Sequence, residues 1–374
     1  MHVLLITPAY KSDFNQLSAL FFRDQAMALK NSGYQVGVIC PLPISFKSIW
    51  HKKSIRFKDE FYDDFGINTY VRKFPSLPKM VNLRQAFSFR FGKQLFKLYI
   101  EKNGLPDIIH VHTFWPGELA IWIKENYSIP YVVTEHSTGF SRKLYSKKII
   151  EYARNTYQNS KINIAVSEPF CQLLKGKFDI PFQFIPNVVD TTFFSPSDNV
   201  KEKKEFVFLN IAHLDKKKNH AGLINAFSNQ FKGDMKYKLE IVGGGEEFTS
   251  LANLINEIGV QKQVFLLGRK SREDVRAIIQ RSNCFVLSSI HETFGVVLIE
   301  AMSCGLPVLS TKSGGPESII TSDELGILCE FYDLEKALKV ISTRTYNSNT
   351  IRNHVLNHFS EKVVTETLIQ YYND

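Results

Sequence analysis

The chain has 374 residues, of which 44% are hydrophobic, 22% charged and 13% aromatic, ordinary usage for globular domains and enough apolar surface for two or three cores. Disorder, collagen repeats and disulfide scaffolds are excluded, and the five scattered cysteines (Cys40, Cys171, Cys284, Cys304, Cys329) suggest neither a disulfide framework nor a zinc site. Net charge is +9, but residues 1–190 hold 25 Lys and Arg against 15 Asp and Glu while the rest hold 21 against 22, so attraction to an anionic partner is a property of the first half. No apolar run reaches the ~18 residues of a membrane span, and the opening Met1–Pro8 is too short and lacks the basic flank of a signal peptide. The expected location is the cytosol.

In chain order, Val3–Ile6 reads as a strand buried on both faces, Phe21–Lys30 as a helix closed by Asn31-Ser32-Gly33, and Gln35–Cys40 as the next strand, which together make a βαβ unit. Ile108–Val111, Tyr131–Val133, Ile162–Val166 and Phe182–Ile185 continue the strands of a doubly wound, largely parallel sheet. A polar stretch from Asp190 to Glu205 breaks the rhythm, which restarts with strands at Phe206–Ile211, Lys238–Val242, Gln263–Leu267, Cys284–Leu287 and Pro307–Ser310. Helices are expected between them at about 219–230, 246–258, 272–281 and 296–304. The pattern predicts two α/β domains, 1–188 and 189–357, with a C-terminal helix of about 358–374 rejoining the first.

In open parallel sheets ligands bind outside the carboxyl ends of the strands. Three glycine-containing loops stand there in the second half: Gly243-Gly244-Gly245, His291–Gly295 and Ser313–Glu317. Each alone is weak, since glycine at a strand-to-helix turn usually serves only the turn. Carboxylates flank the second loop. Glu292 precedes Phe294-Gly295, and Glu300 follows eight positions on, inside the apolar run Val296–Met302. Eight helical positions are ~12 Å, a separation that lets two carboxylates grip hydroxyls at opposite ends of a ligand with backbone N–H groups on a phosphate between them. The plain alternative is that Glu300 is an exposed helix position or pairs with a lysine.

The run Ser288-Ser289-Ile290-His291-Glu292-Thr293-Phe294-Gly295-Val296-Val297-Leu298-Ile299-Glu300 resembles the Glu, seven residues, Glu signature of family 4 glycosyltransferases, retaining enzymes of the GT-B fold with two Rossmann-like domains facing a central cleft. The resemblance extends through Ile185–Asp190, Leu239–Gly245 and Gly314–Glu317. It implies that Glu292 contacts the transferred sugar and Glu300 the ribose of a nucleotide-diphosphate sugar, with Gly243 and the Phe294-Gly295-Val296 backbone in the same donor site. Lys218 matches the lysine that neutralises the diphosphate, and His213 stands where the family usually has Arg, so neutralisation falls more heavily on Lys218. His136, in Tyr131–Ser137, matches the strand-end histidine that faces the sugar. Ser18 stands where many relatives place a glycine against the diphosphate. His110 and His112 share one side of a neighbouring strand, and His112 with Trp115 is assigned to the acceptor side.

The implied reaction moves a sugar, UDP-linked before GDP-linked, to a glycan or polyprenyl-linked acceptor of cell-surface polysaccharide synthesis, with no metal and no cofactor, the nucleotide sugar being a substrate. Residues 84–102 place Phe87, Phe91, Leu95 and Leu98 on one helical stripe and Arg90, Lys93 and Lys97 on another, and residues 47–58 join Trp50, Ile55 and Phe57 to five basic residues. Such segments suit an anionic membrane surface, here the inner face of the plasma membrane, or equally a core-facing stripe with a solvated basic face. No nucleic-acid recognition motif accompanies the charge. The alternatives are a nucleotide-sugar epimerase of the same architecture and a non-catalytic, membrane-associated scaffold.

Overall fold

The computed structural model describes residues 1–12, 20–46, 49, 57–76, 80–197 and 205–373. The chain divides into one unit made of Met1–Val166, Cys171–Val188 and Val364–Asp374 and another made of Ser167–Phe170 and Val189–Val363.

The first unit is an eight-stranded sheet of β1 (His2–Ile6), β2 (Gln35–Ser45), β3 (Asp59–Asp63), β4 (Asn68–Ser76), β5 (Ile108–His112), β6 (Tyr131–Glu135), β7 (Ile162–Ala165) and β8 (Gln183–Phe184), in the order β3-β4-β2-β1-β5-β6-β7-β8. Only β3 runs antiparallel to its neighbour. Every residue of β1, β5 and β6 is buried, the signature of parallel strands covered on both faces. The winding direction reverses between β1 and β5.

β2 runs five residues past Cys40, where the sequence reading ends it, and passes through Pro41 and Pro43. Proline removes a ladder donor, so its place in a strand needs explaining. The Gln35 N–H donates to the Met1 carbonyl, and Pro41 and Pro43 share its parity, so their missing N–H groups face the side where β1 has already ended at Ile6. β4 supports the other side through Ser45. β3 and β4 escape a periodicity reading because charge interrupts them: Lys73 is buried in β4, held by Glu60 of β3 at 2.7 Å.

The second unit is an all-parallel sheet of β9 (Phe206–Ile211), β10 (Tyr237–Val242), β11 (Val264–Gly268), β12 (Cys284–Leu287), β13 (Val308–Thr311) and β14 (Gly326–Cys329), ordered β11-β10-β9-β12-β13-β14. Relative to its own start this is the doubly wound order 3-2-1-4-5-6, with the reversal between β9 and β12. Its core includes Phe208, Phe227, Phe231 and Tyr237, the last two rings stacked at 4.1 Å. The short β14, unflagged by the sequence pattern, completes one edge beside β13.

The amphipathic stretch is the helix Val81–Asn103. Its apolar stripe faces the sheet: Leu95 is buried, Phe87 and Phe91 stack at 5.8 Å, and both meet Phe74 of β4 at 6.3 and 5.5 Å. Arg90 and Lys97 are exposed. The core-facing alternative therefore accounts for this stripe. Of the 47–58 segment only Ile49, Phe57 and Lys58 fall among the described residues. Among those residues no helix is long and apolar enough to cross a membrane. The last helix, Glu361–Asn373, sends Val364, Leu368 and Tyr372 into the core of the first unit.

Candidate active site

At the reversal point of the second sheet, the loops after β9 and β12 are tied together. The Ile290 N–H donates to the Lys217 carbonyl at 2.7 Å, and the Ser288 hydroxyl donates to the Lys218 carbonyl at 2.9 Å. Lys216–Lys218 form one turn of 3-10 helix, ended by Asn219 at φ 52°, whose side chain accepts the Gly222 N–H and caps the helix His220–Phe231. This turn aims the Lys218 ammonium at Glu292, and the two form an ion pair with side chains 16% and 13% exposed. Lys216 and His213 are exposed, while Lys217 pairs loosely with Asp215 at 3.9 Å.

Glu292 is itself held by backbone. Its N–H donates to the Ser313 carbonyl at 3.0 Å, and its carbonyl accepts the Gly315 N–H at 2.9 Å, a parallel bridge between the loops after β12 and β13. Only glycine fits at 315, where a Cβ would stand 2.3 Å from the Phe294 N and Cα. The Gly314 N–H is directed to the Glu317 carboxylate at 3.0 Å.

The helix of this segment begins after Gly295, as Val296–Ser303, with Gly295 at φ 103°. Glu292 thus stands on a loop outside the helix, which corrects the ~12 Å helical spacing expected between it and Glu300. Glu300 lies in the second turn, half-buried, and Val296 is half-buried at the start. The Phe294 ring packs inward on Phe359 at 5.9 Å, leaving its backbone as the part available to a ligand.

Gly243 has a structural reason of its own. At φ 151°, a Cβ there would lie 1.9 Å from the Ala212 carbonyl oxygen, and one at Gly245 2.3 Å from that of Leu214. The loops after β9 and β10 pack backbone on backbone, with the Leu214 N–H donating to Gly244 at 3.2 Å.

In the first unit His112 and His136, from the ends of β5 and β6, hydrogen-bond through Nδ1 and Nε2 at 3.1 Å. His110 stacks on His112 at 4.6 Å, as strand alternation requires, and bonds Thr134 Oγ1 at 2.7 Å and the Tyr372 hydroxyl. Burial holds all three imidazoles neutral: it pushes His110 and His136 down to about 3 and holds His112 well below its ordinary value.

A residue that motif reading passed over positions this cluster. Glu135, fully buried, accepts from the N–H groups of His136 (2.9 Å), Ser137 (2.8 Å) and Phe114 (2.9 Å) and from the Tyr157 hydroxyl (2.7 Å). Burial raises its carboxyl to about 6 against the pull of those four donors. The only sequence signal was an acidic residue closing an apolar strand. His136 and Trp115 line one cavity of about 390 Å³, with Phe21, Phe22, Pro41 and Pro43 on its walls. Ser18 lies outside the described residues.

Two family models match consecutive stretches of the chain: glycosyltransferase family 4 over residues 19–193, and glycosyl transferases group 1 over residues 192–353. The N-acetyl-alpha-D-glucosaminyl L-malate synthase of Bacillus anthracis is 27% identical over 289 residues, 71% of this chain and 74% of that protein. Among solved structures, the sucrose-phosphate synthase of Thermosynechococcus elongatus superposes with a TM-score of 0.79 at 18% identity, over 100% of this chain and 98% of that one. HepE of Anabaena, in complex with UDP and glucose, does so at 0.74 with 17% identity, over all of both chains. With its two parallel-rich Rossmann-like sheets and these matches, the chain belongs to the family 4, group 1 glycosyltransferases of the GT-B fold, enzymes that transfer sugars.

Proposed function

We propose that this enzyme is a retaining glycosyltransferase that takes a hexose from a nucleotide-diphosphate sugar, UDP-linked in preference to GDP-linked, and passes it to a glycan or lipid-linked acceptor in polysaccharide synthesis. The observation that carries the donor half is the Lys218–Glu292 pair, held where the second sheet reverses and bounded by Gly295 and the Gly314-Gly315 backbone. A cation and a hydroxyl-binding carboxylate at one point suit a ligand that is anionic at one end and a polyol at the other. The likeness to HepE, whose structure carries UDP and glucose, supports the UDP preference.

As the bond at the anomeric carbon breaks, negative charge grows on the departing diphosphate, and preorganised donors stabilise it without reorganising. In this reading Lys218 supplies the charge, released from Glu292 when the donor enters. The N–H groups at the start of the helix Val296–Ser303 supply fixed dipoles, and His213 adds a further donor. Glu292 turns to the sugar hydroxyls and Glu300 to the ribose. His136, neutral and oriented by His112 and Glu135, contacts the transferred sugar, with Trp115 on the acceptor side.

The test is turnover of a UDP-, GDP- and ADP-sugar panel with and without chelator, in wild type, Glu292→Ala and Lys218→Ala. Selective, chelator-resistant turnover lost in both variants supports the reading, and retention is read from the product's anomeric configuration by NMR. Absence of nucleotide binding at millimolar concentration overturns it, and conversion of the donor to its epimer without transfer favours the epimerase. Membrane association is the finer element of the proposal, resting on the basic charge of the first half alone. Co-sedimentation with anionic and neutral vesicles decides it.

A further inference from the structure

The cavity of the first unit holds a cation that no acidic group among the described residues accounts for. Arg84, in the first turn of the helix Val81–Asn103, lines the cavity and lays its guanidinium over the Trp115 ring, 4.3 Å from the centroid. Among the described residues no carboxylate pairs with it, whereas Arg23, Arg72 and Arg281 of this chain each pair with an Asp or Glu. Burial draws its pKa down, with only the neutral phenols of Tyr145 and Tyr152 near enough to act against that. A half-buried guanidinium with no counter-ion is an unfavourable arrangement unless an anion arrives from outside.

A neighbour shares the deficit. Gln85 and Thr113 line the same cavity, and among the described residues the buried Thr113 Oγ1 has no hydrogen-bond partner, while the Gln85 amide has only the Tyr152 hydroxyl within reach. Buried polar atoms in a native fold are nearly always satisfied, so an orphaned hydroxyl beside an unpaired guanidinium on one cavity wall points to a ligand that satisfies both. The remaining wall joins the polar Ser88, His136 and Ser137 to the apolar Phe21, Phe22, Trp115, Pro8, Pro41, Pro43 and Pro116, the mixture of ring-packing surface and polar groups that a sugar-sized ligand packs against. About 390 Å³ is at the small end of ligand cavities.

We propose that this cavity binds the acceptor through an oxyanion, a carboxylate or phosphate held by Arg84, with Gln85 and Thr113 on its polar atoms and Trp115 beneath the guanidinium. The proposal rests on the glycosyltransferase reading for the word acceptor, but the anion preference stands on the cavity alone. Trp115 stiffens the guanidinium plane, since its own backbone carbonyl accepts from the Tyr152 hydroxyl at 3.0 Å and its ring meets those of Phe114 and Tyr145 at 4.5 and 5.9 Å. Arginine suits the task better than lysine because its planar fork meets two oxygens at once.

The experiment is a calorimetric titration of the full chain with glucose, glucose 6-phosphate, glucuronate and inorganic phosphate, with UDP titrated separately, in wild type, Arg84→Gln and Arg84→Lys. The expected result is that glucose 6-phosphate or glucuronate binds at least about tenfold tighter than glucose. That preference disappears in Arg84→Gln and is partially restored in Arg84→Lys, with UDP binding the same in all three. Circular dichroism checks that the variants are folded. Equal binding of neutral and anionic sugars, a preference that survives Arg84→Gln, or binding of neither by a chain that binds UDP each overturns the proposal. Loss of UDP binding with the anion preference intact overturns the donor reading instead.

Discussion

The Lys218 ammonium and the Glu292 carboxylate, 74 positions apart in sequence, pair across the two strands between which the second sheet reverses direction. Both are about one-seventh exposed, so neither is screened as a surface pair would be, and a bound diphosphate competes directly with the carboxylate for the ammonium. Lys218→Met and Glu292→Gln are each expected to lower turnover by about 10²-fold or more while the fold survives. Because the residues touch, the double variant should lose much less than the product of the two, as steady-state kinetics of the four-member cycle will read.

Glycine at 243 and glycine at 268 should respond differently to the same change. Both have positive φ, 151° and 69°, but a Cβ at 243 meets the Ala212 carbonyl at 1.9 Å while one at 268 meets nothing within 4 Å. Gly268→Ala is expected to cost about 1 kcal/mol from backbone conformation alone. Gly243→Ala must also push the loops after β9 and β10 apart and should cost at least twice that. Urea midpoints of the two variants test the order.

Glu135→Gln tests the positioning role of the buried carboxylate. Each carboxylate oxygen accepts two donors and an amide can accept at only one end, so an NH₂ meets either the His136 and Ser137 N–H groups or the Phe114 N–H and the Tyr157 hydroxyl. The expected cost is about 2–3 kcal/mol of stability, with lowered transfer and unchanged UDP affinity. A variant that loses UDP binding in parallel with transfer would contradict the assignment.

Stability of the first unit should fall on acidification. His110 and His136 titrate near 3 in the folded chain and His112 is lowered as well, against about 6.5 when unfolded. Below pH 6.5 the unfolded chain therefore binds protons that the folded chain refuses, and stability is lost progressively from about pH 6.5 toward 3. Glu135, raised to about 6, takes up a proton in the folded state between about 6 and 4.5 and partly offsets one histidine there. Thermal melts from pH 7.5 to 5 should show a falling Tm, with a shallower slope in His110→Gln.

The doubly wound fold and the Glu292 segment were legible in the residues alone, because buried parallel strands write continuous apolar runs and glycines mark close backbone approaches. The strands from Phe206 to Thr311 fall within a residue or so of their predicted limits for that reason. β3 and β4 were hidden, since the buried Lys73 is tolerable only once Glu60 of the neighbouring strand reaches its ammonium, a contact that periodicity cannot express. The length of β2 was hidden for a related reason: whether Pro41 and Pro43 end a strand depends on which neighbour has already stopped. At the site, the carboxylates flanking a glycine loop singled out Glu292 and the family resemblance pointed to Lys218 and His136, but their surroundings are products of long-range contact. The four donors around Glu135 come from the ends of two strands and a helix, and Arg84 read as one more basic residue on an amphipathic helix. Residue type and spacing determine which groups are present and how each element is patterned. Which charges find a partner, and which are left without one, is decided only when distant segments pack, because burial is what makes an unpaired charge costly.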